Sequence, residues 1–306
     1  MDIFKAKTGS APEYDISREN YGHCSKRLTK YGKLRGTKED YYGVGTACDD
    51  PILLIGFYRV ADGSNPKSYE RQNRGSIEDL ISYSEIDYLN CPYSKPNQRH
   101  KQWYKRPESP MTRKILKAVV TQFDRIIYLL NKQTGLHMTK GLAKLMLEEY
   151  LNKEGWLFHL ATMSNIPWTF AECSRARPLF GRYVTKDSKL YRILKDKCPE
   201  VVFEETDYNQ NMVQVKSDKK FITLQFVFLY HKQTRKEEHL TETIDFMVFR
   251  PAVSGEDEVL FQIKLPVDTN YFANLVNDKR HQERRNQALL KMADSLVPAE
   301  NYESLF

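Results

Sequence analysis

The chain has 306 residues, of which 41% are hydrophobic and 28% are charged. These proportions are typical of folded globular proteins and argue against a disordered chain or a fibrous repeat. Its formal net charge is +7, from 47 Lys and Arg against 40 Asp and Glu, which suits a polyanionic partner without requiring one.

Hydropathy and cysteine usage bear on the compartment of the protein and on its metal chemistry. No stretch approaches the roughly 20 apolar residues of a membrane-spanning helix, and residues 1–12 lack the apolar run of a signal peptide. The five cysteines are odd in number, widely scattered and without a Cys-x-x-Cys pair, which argues against a disulfide framework and a structural zinc site. We therefore expect a cytoplasmic protein with free thiols and no membrane partner.

The first predicted region, residues 1–108, is rich in Gly, Tyr, Asn, Asp and Ser, and we expect loops to dominate it. One apolar run, residues 52–60, predicts a strand, and residues 77–89 place apolar side chains near helical spacing and predict a short helix. A basic connector that contains prolines, residues 92–110, leads into the second region, residues 109–306. The first region is thus predicted to be a loop-rich α+β unit.

Two amphipathic helices are predicted at the start of the second region. Residues 111–132 carry apolar side chains at steps of three and four, and Gly135 follows as a helix stop. Residues 139–153 repeat the pattern, so that the two helices form a hairpin. A helix-turn-helix is the alternative, but Glu148 and Glu149 lie where a recognition helix usually carries positive charge. A packing unit is therefore favoured.

From residue 201 onward the pattern changes to alternation, with many β-branched and aromatic residues. It predicts strands at 201–205, 212–216, 221–231, 239–249 and 259–267. Short polar turns join them, which favours antiparallel pairing. A final helix, residues 277–296, is apolar on one side and basic on the other. The predicted fold class is α/β, of the α+β kind, with a central helical hairpin and a C-terminal mixed or antiparallel sheet flanked by helices.

Basic residues gather in two short runs, 95–106 and 279–285. Their guanidinium and ammonium groups suit phosphates, and the aromatic side chains of the first run suit base stacking. The alternative is a solvated loop and a solvated helix face, which charge runs of this length commonly form. The candidate nucleic-acid-binding residues are Arg99, Lys101, Trp103, Lys105, Arg106, Lys279, Arg280, Arg284 and Arg285.

The candidate catalytic residues lie on two of the predicted strands. Gln262 and Lys264 share one face of their strand, because side chains alternate between the faces. Antiparallel pairing with the preceding strand brings Asp245 beside them. Such a group suits phosphodiester hydrolysis, in which a carboxylate holds Mg²⁺, the metal activates water, and a lysine stabilises the phosphate.

At these residues the chain resembles the PD-(D/E)xK nuclease superfamily, in which a strand-borne Asp is followed by a strand that carries acid-x-Lys, or Gln-x-Lys in some members. The corresponding residues are Asp245, Gln262 and Lys264, and the resemblance covers the chain from His239 onward. The basic helix that follows also resembles a helix of many members. One departure is Ile244, which stands where the family often has Pro.

The family also has a Glu on an upstream helix, and this chain offers several candidates for it. Glu148 and Glu149 are favoured, with Glu149 taken as the metal ligand beside Asp245, while Glu85 and Glu242 are the alternatives. The resemblance implies a nuclease that requires Mg²⁺ or Mn²⁺ and cleaves nucleic acid, with DNA as the expected substrate. It also implies a phage, mobile-element or defence setting.

Two other functions remain open at this point. A nucleic-acid-binding protein without catalysis, such as a viral or phage structural or regulatory protein, would use the same basic surfaces. A protein-interaction module would use the tyrosine-rich N-terminal part, since the chain contains 19 tyrosines. A protein partner or a homo-oligomer is compatible with each function. The chain has no GxxxxGK[ST], GxSxG or HExxH motif, and its Gly-x-Gly at 43–45 precedes a strand, which disfavours P-loop, dinucleotide, serine-hydrolase and zinc-protease chemistry.

Overall fold

The computed structural model describes residues 3–27, 40–56, 68–78, 80–91, 105–207, 209–218, 223–236, 239–252, 256–277 and 284–298. In this part the chain is a mixed α/β protein whose strands form three antiparallel sheets, as the sequence predicts for the fold class. Within the same ranges, no helix has both the length and the apolar character needed to cross a membrane.

The elements follow one another in an irregular alternation of strands and helices. The strands are β1 (Ile3–Lys5), β2 (Glu13–Asp15), β3 (Tyr41–Val44), β4 (Pro51–Ile55), β5 (Tyr69–Gln72), β6 (Leu136–His137), β7 (Arg177–Pro178), β8 (Tyr183–Thr185), β9 (Val201–Glu205), β10 (Met212–Ser217), β11 (Gln225–Lys236), β12 (His239–Arg250) and β13 (Glu258–Pro266). The helices are α1 (Arg18–Arg27), α2 (Glu85–Asn90), α3 (Pro110–Thr121), α4 (Phe123–Thr134), α5 (Lys140–Asn152), α6 (Ile166–Glu172), α7 (Lys189–Lys197), α8 (Thr269–Asn277) and α9 (Gln287–Leu296), with a 3₁₀ turn at Gly155–Leu157.

The N-terminal region contains a five-stranded sheet in the order β2-β1-β3-β4-β5, whose short strands are joined by loops, as expected of a loop-rich α+β region. Its strands have three to five residues each, too few to show a clear alternation. A small core that includes Phe4, Tyr21, Ile52 and Leu54 holds the sheet together. The strand predicted at 52–60 is β4, and residues 57–60 lie outside the described residues.

The helix predicted at 77–89 is shorter than expected. Helix α2 begins only after Ser84, whose side chain accepts a hydrogen bond from the backbone N–H of Asp87. Upstream of this cap, Ile77 and Ile81 form an isolated β-bridge. Apolar spacing alone therefore placed the helix start too early.

The central helices lie where the sequence predicts them, with one correction, and their packing as a hairpin stays a prediction. The helix predicted at 111–132 is two helices, α3 and α4, which are separated by Gln122 in a non-helical conformation. Helix α4 ends at Gly135, whose φ of 74° is left-handed, as expected of a helix stop. Helix α5 is capped by Thr139 and ends beside Lys153, so its predicted bounds are confirmed.

The C-terminal sheet has the order β13-β12-β11-β7, with β11, β12 and β13 forming an antiparallel meander. Phe226, Phe228, Ile244 and Phe246 are buried on one face of this sheet and belong to the main core. Helix α6 packs on β11 and helix α7 on β13. The opposite face of β12 and β13 carries the polar side chains discussed below.

The helix predicted at 277–296 is also corrected. Asn277 is the last residue of α8, and α9 begins at Gln287 after Asn286, whose side chain accepts a hydrogen bond from Leu289 N at 3.2 Å. Arg284 and Arg285 precede this cap and are not helical, while residues 278–283 lie outside the described residues.

Hydrogen bonds cross the boundary predicted at 108/109. Met111 N donates to Asp87 Oδ2 at 3.2 Å, and Arg106 Nη2 donates to Ala161 O at 2.7 Å. The two predicted regions therefore share buried polar contacts, and their independence as domains stays a prediction.

Candidate functional site

The three candidate catalytic residues lie on one face of the C-terminal sheet. In the register of β12 and β13, Asp245 is directly opposite Lys264, and Gln262 is opposite Met247, two residues along. The Gln262 amide Nε2 donates to Asp245 Oδ2 at 2.6 Å. The amide is therefore hydrogen-bonded to the acid, and the lysine lies on the same face of the sheet opposite that acid.

The burial of these residues follows from strand alternation. Ile244 and Phe246 point into the core, so Asp245 between them points to the other face. Asp245 is nevertheless only 7% exposed, whereas Gln262 and Lys264 are exposed. Within the described residues, Asp245 Oδ1 accepts no hydrogen bond and Lys264 forms no ion pair. No described residue therefore occupies this carboxylate oxygen or this ammonium group.

Glu149, chosen from the sequence as the second metal ligand, belongs to a different network. Arg175 donates to it through its backbone N–H, at 3.0 Å from Oε2, and through Nε, and Arg177 Nη2 lies 2.8 Å from Oε1. Burial alone would raise the pKa of Glu149, but the hydrogen bonds from Arg175 and the charges of Arg177 and Arg175 outweigh it and lower the pKa. These contacts engage Glu149 with two arginines, and its role as a metal ligand beside Asp245 stays a prediction.

Glu242, an alternative ligand, lies on the opposite face of β12 from Asp245, because the two residues are three apart in a regular stretch of strand. It accepts hydrogen bonds from His231 Nε2 at 2.8 Å and from Asn165 Nδ2 at 2.9 Å. Glu172 lies on the other side of the imidazole and accepts from His231 N at 2.9 Å. In the described part of the chain, no three or more His, Cys, Asp or Glu side chains lie together in a group that could hold a metal ion.

The cluster of His231, Glu172 and Glu242 is buried and was missed by the sequence analysis, because its members follow no His spacing motif. A β-bulge in β11 turns His231 inward, with Tyr230 at a left-handed φ of 57°. Burial alone would lower the pKa of His231, but the hydrogen bond and charge of Glu242 and the charge of Glu172 raise it above its usual value. The cluster faces the core, which favours a structural role for these charges.

Two of the candidate nucleic-acid-binding arginines stabilise the fold, which corrects their predicted placement. Arg106 is only 3% exposed, and burial lowers the pKa of its guanidinium. Arg285 donates to both oxygens of Asp124, at 2.8 Å from Nε and 2.7 Å from Nη2. Burial removes Arg106 from the surface, and the two hydrogen bonds to Asp124 engage Arg285, so neither guanidinium is a free surface cation for a phosphate.

The other candidates in the two basic runs differ in their surroundings. Lys105 is exposed and pairs with Glu154 at 2.6 Å, and Arg284 is exposed. The remaining candidates lie outside the described residues and are Arg99, Lys101, Trp103, Lys279 and Arg280. Their role in nucleic-acid binding stays a prediction.

Known proteins provide no further guide to this site. No family model, curated protein or solved structure matches the chain. The resemblance to PD-(D/E)xK nucleases therefore rests on Asp245, Gln262 and Lys264 and on the strand order in which they occur.

A basic groove that the sequence analysis missed lies between the start of α5 and the length of α9. Its volume is about 810 Å³, and its walls include Lys140, Lys144 and Lys291, which are all exposed. Lys144 lies 3.6 Å from Glu148 one turn away, an exposed pair that contributes little stability. The three lysines come from helices far apart in sequence, so no local charge run reveals them.

Proposed function

We propose that the chain is a metal-dependent nuclease whose site is formed by Asp245, Gln262 and Lys264, with DNA as the first substrate to test. The observation that carries the proposal is the 2.6 Å hydrogen bond from Gln262 Nε2 to Asp245 Oδ2, on the strand face that also bears Lys264. Asp245 lies on β12, the middle strand of the meander, and Gln262 and Lys264 follow on β13. The superfamily that these residues resemble has its acid and its Gln-x-Lys in the same order along the chain.

The donor set at this position is compatible with one hard divalent cation. Mg²⁺ is often held by one or two carboxylates, with water and substrate phosphate oxygens completing its shell. Asp245 supplies one carboxylate with an oxygen that no described residue occupies, and Gln262 adds a neutral carbonyl oxygen beside it. When bound, such an ion would lower the pKa of a water molecule and neutralise charge on the phosphate.

The protein groups have separate roles in this proposal. The Gln262 amide fixes the orientation of the Asp245 carboxylate, because the hydrogen bond spans neighbouring strands of a rigid sheet. Lys264 is exposed and makes no ion pair with any described residue, so its ammonium group would bind a phosphate oxygen and stabilise charge that develops there.

Nucleic-acid binding without cleavage is the second candidate function. It is favoured by the basic groove of Lys140, Lys144 and Lys291, and by the engagement of Glu149 with two arginines. Lysines along a groove bind a phosphate backbone and release its counterions, so binding of this kind weakens steeply with salt.

The test of cleavage uses supercoiled and linear DNA with Mg²⁺ or Mn²⁺, and then with EDTA. We expect wild type to cut only with metal, and Asp245→Asn and Lys264→Met each to lose activity by about 100-fold or more. Asp196→Asn and Lys197→Met are matched controls, because both residues are exposed on α7 and neither lies on β12 or β13. Cutting that survives Asp245→Asn would refute the assignment of the site.

Wild type that binds DNA without cutting it would favour the second candidate. In that case DNA retention in a gel shift should fall with added salt and with the joint substitution of Lys140, Lys144 and Lys291 by Met. A joint variant that binds as tightly as wild type would exclude the groove as the binding surface.

A further inference from the structure

A cavity of about 560 Å³ lies between the N-terminal sheet and the start of helix α3. Its walls come from the loop at 45–50 between β3 and β4, from residues 76–78 and 80–84, and from the start of α3. The volume is within the range of small-molecule sites, about 300–1,000 Å³. None of the candidate nuclease residues lines this cavity.

Two of the carboxylates in the cavity wall are satisfied by the protein itself. Asp49 accepts from Lys5 Nζ at 2.6 Å and from Gly9 N at 2.7 Å, and the Lys5–Asp49 pair is buried. Asp87 accepts from the hydroxyl of Ser109 and from the backbone N–H that begins α3. These contacts fix the walls on two sides.

Asp50 differs from its neighbours, because only one of its two oxygens is satisfied. Its Oδ1 accepts from Ser84 N at 3.1 Å, whereas Oδ2 is buried and has no hydrogen-bond partner within the described residues. The residue is 2% exposed and lines the cavity. Cys48 lies close enough to lower the pKa of Asp50, but a thiol is too weak a donor to replace an N–H group. A buried acceptor of this kind gains from any ligand that brings a donor.

The loop that carries Asp50 is held in a fixed shape. Gly45 N donates to Asp50 O at 2.8 Å, Asp49 N donates to Gly45 O at 3.2 Å, and Asp49 has a left-handed φ of 57°. A non-glycine residue keeps such a conformation only where its surroundings determine it, here through the buried contact with Lys5. Asp50 is therefore held in place before any ligand arrives.

We propose that this cavity binds a small organic cation through its N–H groups, a primary ammonium or a guanidinium, with Asp50 Oδ2 as the acceptor. Four acidic residues line the cavity, Asp49, Asp50, Glu78 and Asp87, against one basic residue, Lys114, and this excess of carboxylates disfavours an anionic ligand. Burial, with added repulsion from Asp87 and Asp49, raises the pKa of Asp50 to about 7, which a bound cation would offset.

The test measures binding to the full chain by isothermal titration calorimetry, with n-butylammonium chloride and agmatine as probes. Tetramethylammonium, a cation without N–H groups, and butanol, a neutral molecule of similar length, are the comparators. We expect saturable binding of the two N–H cations at one site and clearly weaker binding of both comparators. Tetramethylammonium that binds as tightly as n-butylammonium would overturn the proposed hydrogen bond to Asp50.

Variants of the cavity wall complete the test. Asp50→Asn should weaken binding of the N–H cations by about tenfold or more, the loss expected for one charged hydrogen bond. Asp196→Asn, on the distant helix α7, should leave it unchanged. Lys114→Met removes an exposed cation 3.6 Å from Asp49 and should keep or tighten binding, which tests the site without touching Asp50. No saturable binding by wild type, unchanged affinity in Asp50→Asn, or weaker binding in Lys114→Met would each refute the proposal.

Discussion

Replacing Asp50 by Asn should stabilise the protein at neutral and alkaline pH, because the native state holds this carboxylate at a cost once it is ionised. Burial raises the pKa of Asp50 from 3.8 to about 7. Because this pKa is raised on folding, the contribution of Asp50 to the stability of the native state is fully present below pH 4. It is lost as pH rises through about 7. Each unit of difference between the two pKa values, 3.8 and about 7, corresponds to about 1.4 kcal/mol. The ionised carboxylate therefore destabilises the native state by about 4 kcal/mol. Asn keeps the acceptor for Ser84 N and carries no charge to desolvate.

Urea unfolding of wild type and Asp50→Asn at pH 5 and pH 8 measures this cost. The difference in free energy of unfolding between the variant and wild type should be about 3 kcal/mol larger at pH 8 than at pH 5. The reason is that Asp50 of wild type ionises at about pH 7 in the native state, about two pH units above the lower of these values. Asp196→Asn, which replaces an exposed acid, should follow wild type at both values. Parallel pH profiles for wild type and Asp50→Asn would show that the carboxylate is not held at a raised pKa and would remove that support for the cation site.

Two further substitutions test the buried charges and the helix stop. Glu242→Gln should lower the free energy of unfolding by about 3 kcal/mol at pH 6, where protonated His231 loses a buried partner. Because the pKa of His231 is raised, the stability contributed by its charged pair with Glu242 is fully present below pH 6.5. It is lost as pH rises through the pKa of His231 in the folded protein. If urea unfolding shows an equal loss for Glu242→Gln at pH 6 and at pH 9, the charge of His231 has no such role. Gly135→Ala should cost about 2 kcal/mol, since the new Cβ would lie 2.5 Å from Ser188 Cβ at a left-handed φ of 74°. Gly141→Ala, where the new Cβ meets open space in a helix, should be neutral or stabilising by up to about 1 kcal/mol in the same assay, and equal stability of the two variants would refute the argument.

The parts of the fold that could be predicted are those with long, one-sided apolar patterns. Helix α5 and strand β9 were placed to within a residue, because each has one face on the core and one in solvent. Helix α6 was not predicted, because all of its residues are buried and the sequence shows no polar face. The break at Gln122 was also hidden, since the apolar period continues from α3 into α4.

The candidate site was predictable only where it depends on local geometry. Alternation along β13 and the register with β12 bring Asp245, Gln262 and Lys264 to one face, and the irregularity in this pairing lies beyond them, at Val248 and Phe249. The second acid was not predictable in this way. Glu149 is paired with Arg175, 26 residues later in the chain, and nothing in the sequence indicates which carboxylates are already neutralised.

The distribution of positive charge separates the two proposed functions. Arg106 and Arg285 lie in the basic runs of the sequence, yet their guanidinium groups bond to protein acceptors. The basic groove takes its lysines from α5 and α9, whereas Lys264 on β13 is opposite Asp245 on β12. Because binding a phosphate backbone needs several cations and cleavage needs one cation beside an acid, substitutions in the groove should weaken retention of DNA, while Lys264→Met should reduce the cutting of DNA that is already bound. A nuclease shows both effects, and a binding protein shows only the first.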